Sequence, residues 1–165
     1  MIFFIITPSY NQQDLLQNCI ASVAAQQCYD DYVHHHVQDA VSADGTGELL
    51  EKTISCLQVN PLGYNFSYCS EKDDGMYDAL NMGIRNTGAS FGSEIVSWLN
   101  CDEQYLPGTL QKVADYFRKN PETDILFGGM LVIDETGELL SCRRAMPMRK
   151  VFLEASYLYN YSCAM

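Results

Sequence analysis

No two cysteines of this chain stand in a C-x-x-C pair, although there are seven of them (Cys19, Cys28, Cys56, Cys69, Cys101, Cys142 and Cys163). An odd number without paired spacing signals neither a zinc ribbon nor a disulfide framework, and reduced thiols in a cytoplasmic protein fit the pattern. Positive charge is scarce: Lys+Arg number 10 against 21 Asp+Glu, for a net charge of -11. That balance excludes nucleic acid as the expected partner, because phosphates would be repelled unless a basic patch were concentrated on one face. The densest basic stretch, Arg143, Arg144, Arg149 and Lys150, is too short to make one. Long apolar runs are missing too. Met1 to Ile6 is apolar but far too short to span a bilayer, and it lacks the basic start and small-residue cleavage site of a signal peptide. Neither G-x-G-x-x-G nor G-x-x-x-x-G-K-[ST] occurs, so the dinucleotide fingerprint and the phosphate-cradling P-loop are absent. Internal repeats and low-complexity segments are absent as well.

What is present is a repeated alternation of short apolar runs and amphipathic segments. Ile2 to Ile6 reads as a buried strand; Thr7-Pro8-Ser9-Tyr10-Asn11 breaks it, with Asn11 able to cap a helix whose apolar face is Leu15, Leu16, Cys19, Ile20, Val23 and Ala24. Tyr32 to Gln38 reads as a second strand ending at Asp39. Ser42 to Gly47 then supplies turn chemistry for a helix carrying Leu49, Leu50, Ile54 and Leu57. Tyr64 to Cys69 alternates as a third strand before Glu71-Lys72-Asp73-Asp74-Gly75, and the next helix is expected to place Tyr77, Leu80 and Ile84 on one side. Ile95 to Leu99 forms a fourth strand, ending in Asn100-Cys101-Asp102-Glu103. A helix expected to start at Pro107 follows, with Leu110, Val113, Ala114 and Phe117 as its stripe. Asp124 to Phe127 resumes strand character into Met130 to Ile133, and Asp134 to Glu138 is a hairpin turn to Leu139–Arg143. Ala155 to Met165 reads as a last strand whose exposed edge would favour aggregation or a homodimer.

Four strand–helix alternations predict an α/β fold: a mostly parallel open sheet with helices on both faces, Rossmann-like, closing with an antiparallel hairpin. Right-handed crossovers then bring the loops at 7–11, 39–44, 71–75 and 100–103 to one sheet edge, where ligands bind in such folds. Asp102 and Glu103 are hard oxygen donors suited to magnesium or manganese, and a metal there would bridge to a diphosphate; the same residues would serve equally as helix caps. Asp39 and Asp44 suit either a ribose contact or Asx-turn and capping roles. Of His34, His35 and His36, at most the first and third share a strand face and could share a ligand. Cys101 has no histidine near it in sequence to activate it, so a buried inert thiol is expected.

Several motifs, in order, resemble the GT-A-type glycosyltransferases of family 2, from about Ile2 to Gly137. Ile6 to Asn11 is similar to that family's opening strand and nucleotide loop, and Gln38 to Thr46 to its acidic, glycine-rich second loop. Ala40, Val41 and Ala43 stand where the second loop usually has glycines and threonine. Ser70 to Gly83 resembles the third loop and helix. Trp98 to Gly108 resembles the D-x-D element in the form whose first aspartate is asparagine, with Cys101 and Glu103 replacing the usual serine and aspartate.

The resemblance implies a single GT-A domain over 1–165. Thr7, Pro8, Tyr10, Asp39 and Asp73 would line the nucleotide, and Asp102 would hold Mn2+ or Mg2+. It implies an inverting transfer from a nucleotide-diphospho-sugar, a UDP-sugar ahead of a GDP-sugar, to a saccharide or lipid-linked acceptor in polysaccharide or glycoconjugate synthesis. The setting would be the cytoplasm, free or at the inner face of the membrane. Inversion also needs a carboxylate base, which in this family lies well downstream of the D-x-D element. Either the acceptor-side portion is short or missing here, leaving a nucleotide-sugar-binding module, or a late residue such as Glu154 supplies the base.

Overall fold

The computed structural model describes residues 1–26, 31–57, 63–89 and 94–145. The expected last strand, Ala155 to Met165, and Glu154 lie outside the described residues. The chain forms two compact units, Met1–Pro121 and Glu122–Met165.

In the first unit, strands β1 (Ile2–Ser9), β2 (Tyr32–Asp39), β3 (Tyr64–Ser70) and β4 (Glu94–Trp98) alternate with helices α1 (Gln13–Ala24), α2 (Thr46–Leu57), α3 (Met76–Thr87) and α4 (Thr109–Lys119). All strand pairs are parallel, in the order β3-β2-β1-β4. The chain therefore adds two strands on one side of β1 and then crosses to the other, which makes the carboxyl ends of β1 and β4 the topological switch point of the sheet.

β1 opens with an uninterrupted apolar run because both of its faces are covered, whereas β2 buries the polar His35, His36, Gln38 and Asp39. On one face, Leu16 and Ile20 of α1 and Leu50 of α2 pack with Val37, Phe66 and Cys101. On the other, α3 lies against β1 and β2 so closely that a Cβ on Gly83 would fall 2.5 Å from Ile6 Cγ2 and 3.3 Å from His36 Cδ2. That contact turns α3 so that Ala79, Leu80 and Gly83 are buried. Tyr77, expected on the packed side, is 75% exposed.

β1 runs three residues past Ile6, through Pro8, where a break is expected from sequence. The reason is the edge of the ladder. Backbone groups of successive residues face alternate neighbours; Ile6 faces β4, its carbonyl accepting from Leu99, so Pro8 faces the same side. Pairing with β4 has already ended at Ile6–Trp98, and no ladder bond is lost by the missing N–H. Helix α4 starts at Thr109 rather than Pro107, because Gly108 takes a left-handed conformation (φ 75°) as its N-cap residue. Arg118 near its end ion-pairs with the buried Asp31.

In the second unit the described residues form an antiparallel hairpin, β5 (Met130–Ile133) and β6 (Leu139–Arg143). Asp134 Oδ1 organises its turn by accepting from the N–H groups of Thr136 and Glu138 and from the Thr136 hydroxyl. Residues 124–126 do not continue β5 upstream; only Phe127 makes an isolated bridge.

Candidate functional site

The carboxyl ends of β1, β2 and β3 and the loop after β4 enclose a cavity of about 700 Å³, lined by Pro8, Tyr10, Ala40, Lys72, Asp73, Gly75, Met76, Asn100 and Asp102 among others. This is the size of a small-molecule site. It brings together Pro8, Tyr10, Asp73 and Asp102, residues 94 positions apart at the extremes, because parallel crossovers put every strand-to-helix loop on one edge. Thr7 and Asp39 are not among the lining residues.

Thr7 is one residue too early. Side chains alternate along β1, and Thr7 points into the α1 face, where its hydroxyl lies 2.9 Å from His35 Nε2 and 3.8 Å from Cys19 Sγ. His35 is fully enclosed, with Tyr64 Oη 3.2 Å from its other nitrogen. Burial pushes its pKa down to about 3, so it is a neutral imidazole at physiological pH. His34 and His36 occupy the opposite face, and both bond the Ser67 hydroxyl, at 2.8 and 2.7 Å. The shared partner that the alternation permits is thus a serine, and among the described residues no cluster of three His, Cys, Asp or Glu side chains could hold a metal.

Asp39 is buried beneath the second loop and bonded on both oxygens. Oδ1 accepts from the Ser42 hydroxyl at 2.5 Å, and Oδ2 from Ser42 N–H at 3.0 Å and the Ser70 hydroxyl at 2.7 Å. Asp44 takes the capping role twice: Oδ2 accepts from Gln13 N–H at the start of α1, and Oδ1 from the N–H and hydroxyl of Thr46 at the start of α2. These bonds hold the Asp44 carboxyl below the usual carboxylate range. Asn11, expected to cap α1, instead ties two loops together: its Oδ1 accepts from Ala43 N–H, and its own N–H donates to Ser42 Oγ. Asn11 (φ 50°) and Val41 (φ 57°) are both left-handed. For a β-branched residue this is strained, and Val41 stands where the resembling family has glycine.

The wall after β4 is different. Glu103 folds back, its Oε2 accepting from Asn100 N–H while its own N–H donates to Asn100 O, so its carboxylate serves the turn. Cys101 donates to Pro8 O at 3.0 Å, and burial pushes its thiol up to about 11, the state of an inert packed thiol rather than a nucleophile. Asp102 is exposed at the cavity. Asn100 Oδ1 is buried and has no hydrogen-bond partner. A buried acceptor left without a donor costs about 1–3 kcal/mol unless something binds it. Asn100 and Asp102 offer hard oxygens of the kind magnesium and manganese accept, and such ions need only one or two protein ligands when a phosphate completes the shell. The donor set therefore fits a divalent cation. Asp73, across the cavity, accepts Gly75 N–H at 2.9 Å in an Asx turn that starts α3.

The fold and chain have known relatives. The family model described as glycosyl transferase family 2 matches residues 4–162. An uncharacterized glycosyltransferase of Rickettsia conorii is 30% identical over 137 residues, 82% of this chain and 20% of the relative. A PGL/p-HBAD biosynthesis glycosyltransferase of Mycobacterium bovis is 28% identical over 133 residues, 79% of this chain and 47% of the relative. This chain thus spans less than half the length of these curated relatives. Among solved structures, S. aureus TarS 1–349 in complex with UDP-GlcNAc superposes with a TM-score of 0.58 at 21% identity, covering 90% of this chain and 37% of that one. Mannosyltransferase PcManGT from Pyrobaculum calidifontis, in complex with GDP-Man and Mn2+, gives 0.57 at 21% identity, covering 80% and 35%. These likenesses establish a GT-A fold. Together with the family match over nearly the whole sequence, they mean that the chain belongs to glycosyl transferase family 2.

Proposed function

We propose that this chain supplies the donor half of a metal-dependent, inverting glycosyltransferase that takes a nucleotide-diphospho-sugar, a UDP-sugar ahead of a GDP-sugar. The observation that carries the reading is the unpartnered Asn100 Oδ1 beside the exposed Asp102, in a cavity shared with Tyr10 and Asp73. Tyr10, 62% exposed, offers its ring to the base. Pro8 and Asp73 border the same space, Asp39 acts from beneath by fixing the second loop, and Thr7 ties β1 to His35 of β2 in the core. Asn100 and Asp102 would hold Mn2+ or Mg2+; when bound, such an ion neutralises charge on the leaving diphosphate. The acceptor hydroxyl, on a saccharide or a lipid-linked glycan in polysaccharide or glycoconjugate synthesis, attacks the anomeric carbon from the opposite side and gives its proton to a base. Among the described residues no helix is long and apolar enough to cross a membrane. The proposed setting is the cytoplasm, free or at the inner membrane face.

A second reading, donor binding without transfer, is favoured by the composition of the lining. Its described carboxylates are Asp73, engaged in the Asx turn, and Asp102, needed for the metal, so neither stands free as the base. Titration of the chain with UDP and GDP, with and without manganese, followed by a donor-hydrolysis assay, separates the two readings. Manganese-dependent binding with turnover supports the transferase, and binding without turnover supports the module. Absence of binding to either nucleotide overturns both.

A further inference from the structure

Among the described residues that line the cavity there is one cation, Lys72. Three acidic residues flank it in sequence (Glu71, Asp73 and Asp74), and each is close enough along the chain to take its ammonium into an ion pair. None does: Lys72 forms no ion pair among the described residues. Two of those neighbours are engaged elsewhere. Glu71 Oε1 lies 3.4 Å from Gln38 Nε2 and 3.5 Å from Asn86 Nδ2, on the α3 side of the sheet, and Asp73 Oδ1 holds the Gly75 N–H. The backbone is pinned on both sides of Lys72, by the Glu71 N–H bond to Asp39 O at 2.9 Å and by the Asx turn at Asp73. The lysine is therefore presented at the cavity by a fixed loop. Gly75 and Met76 at the start of α3 border the same wall, adding the positive end of a helix dipole.

The charge balance says what this corner takes. Asp73 and Asp102 alone would repel a diphosphate, and Lys72 is the cation that the described lining offers against that charge. Resting on the nucleotide-sugar reading above, we propose that Lys72 is a positioning residue for the donor's diphosphate, binding it from the β3 end of the cavity while Asp102 lies at the β4 end. The lysine would then favour a nucleoside diphosphate over a nucleoside by its charge, and a divalent ion held by Asn100 and Asp102 would add to that preference.

The test is titration of the wild-type chain, Lys72→Gln and Lys72→Arg with uridine, UMP and UDP and with their guanosine counterparts, all with manganese. Lys72 is exposed, so both variants should keep the wild-type melting temperature. Expected is a loss of about tenfold in diphosphate affinity for Lys72→Gln, unchanged nucleoside affinity, and recovery of most of the loss by arginine. The gap between wild type and Lys72→Gln should narrow as salt rises. Equal diphosphate affinity for wild type and Lys72→Gln, or an equal loss for nucleoside and diphosphate, overturns the assignment while leaving the donor reading intact. If wild type binds no nucleotide at all, the donor reading itself falls.

Discussion

The two halves of the candidate site differ in degree: most polar side chains of the first are bonded to the protein, Ser9 Oγ excepted, while in the second Asp73 and Glu103 are bonded and Lys72, Asn100 Oδ1 and Asp102 are not. In the half made by the loops after β1 and β2, the polar side chains that look most like ligand contacts are bonded to the protein: Asp39 to Ser42 and Ser70, Asp44 to two helix starts, Asn11 to the facing loop. In the half made by the loops after β3 and β4, Lys72 is without an ion pair, Asn100 Oδ1 is without a donor, and Asp102 is exposed to the cavity. Satisfied groups give shape and unsatisfied ones are left for a ligand. A polar residue at the end of a strand can play either part, and its partners decide which.

Three changes test that division. The largest effect is expected from Asp102→Ala, which should lower metal-dependent turnover, or manganese-dependent nucleotide binding, by about a hundredfold or more, while the melting temperature stays at the wild-type value. Normal turnover by that variant would remove Asp102 from the open half. Asp39→Ala should do the reverse. It leaves the half-buried Ser42 N–H and the hydroxyls of Ser42 and the exposed Ser70 without their acceptor, so urea denaturation should show a loss of about 1–2 kcal/mol. Any loss of nucleotide affinity should track the loosening of the loop. An Asp39→Ala chain of wild-type stability would mean that the carboxylate is not structural. The smallest effect is expected from Val41→Gly, which relieves a left-handed β-branched residue 58% exposed to solvent. The unfolded chain gains freedom from the glycine, which offsets part of the relief, and the net is a stabilisation of about 1 kcal/mol or less. A destabilised variant would show that Val41 makes a contact worth more than its strain.

Much of this was legible in the residues. The alternation of apolar runs with helical stripes located all four parallel strands and their helices, and the polar cluster ending at Glu103 marked the loop after β4. The errors have one physical source, partners distant in sequence. Asn11 carries a good capping side chain, but Ala43, 32 residues on, takes it. Tyr77 fits the helical stripe of α3, yet the closest approach to the sheet is at Gly83, and that contact sets which side of the helix is buried. Glu103 is as hard a donor as Asp102 by residue type, and its carboxylate is bonded to Asn100 N–H instead. Lys72 gave no signal by composition, being one basic residue inside an acidic loop; the signal was the engagement of its neighbours, which only side-chain placement reveals.

By itself, the sequence determined the kind of fold and the edge at which its chemistry would collect. Both follow from local rules: the spacing of apolar residues, the breaks that end strands, and the right-handedness of parallel crossovers. The tertiary structure decided which carboxylates are free. A carboxylate has the same chemistry wherever it stands, and whether Asp39 braces a loop or Asp102 meets a ligand depends on donors that reach each from Ser70 in one case and from no described residue in the other.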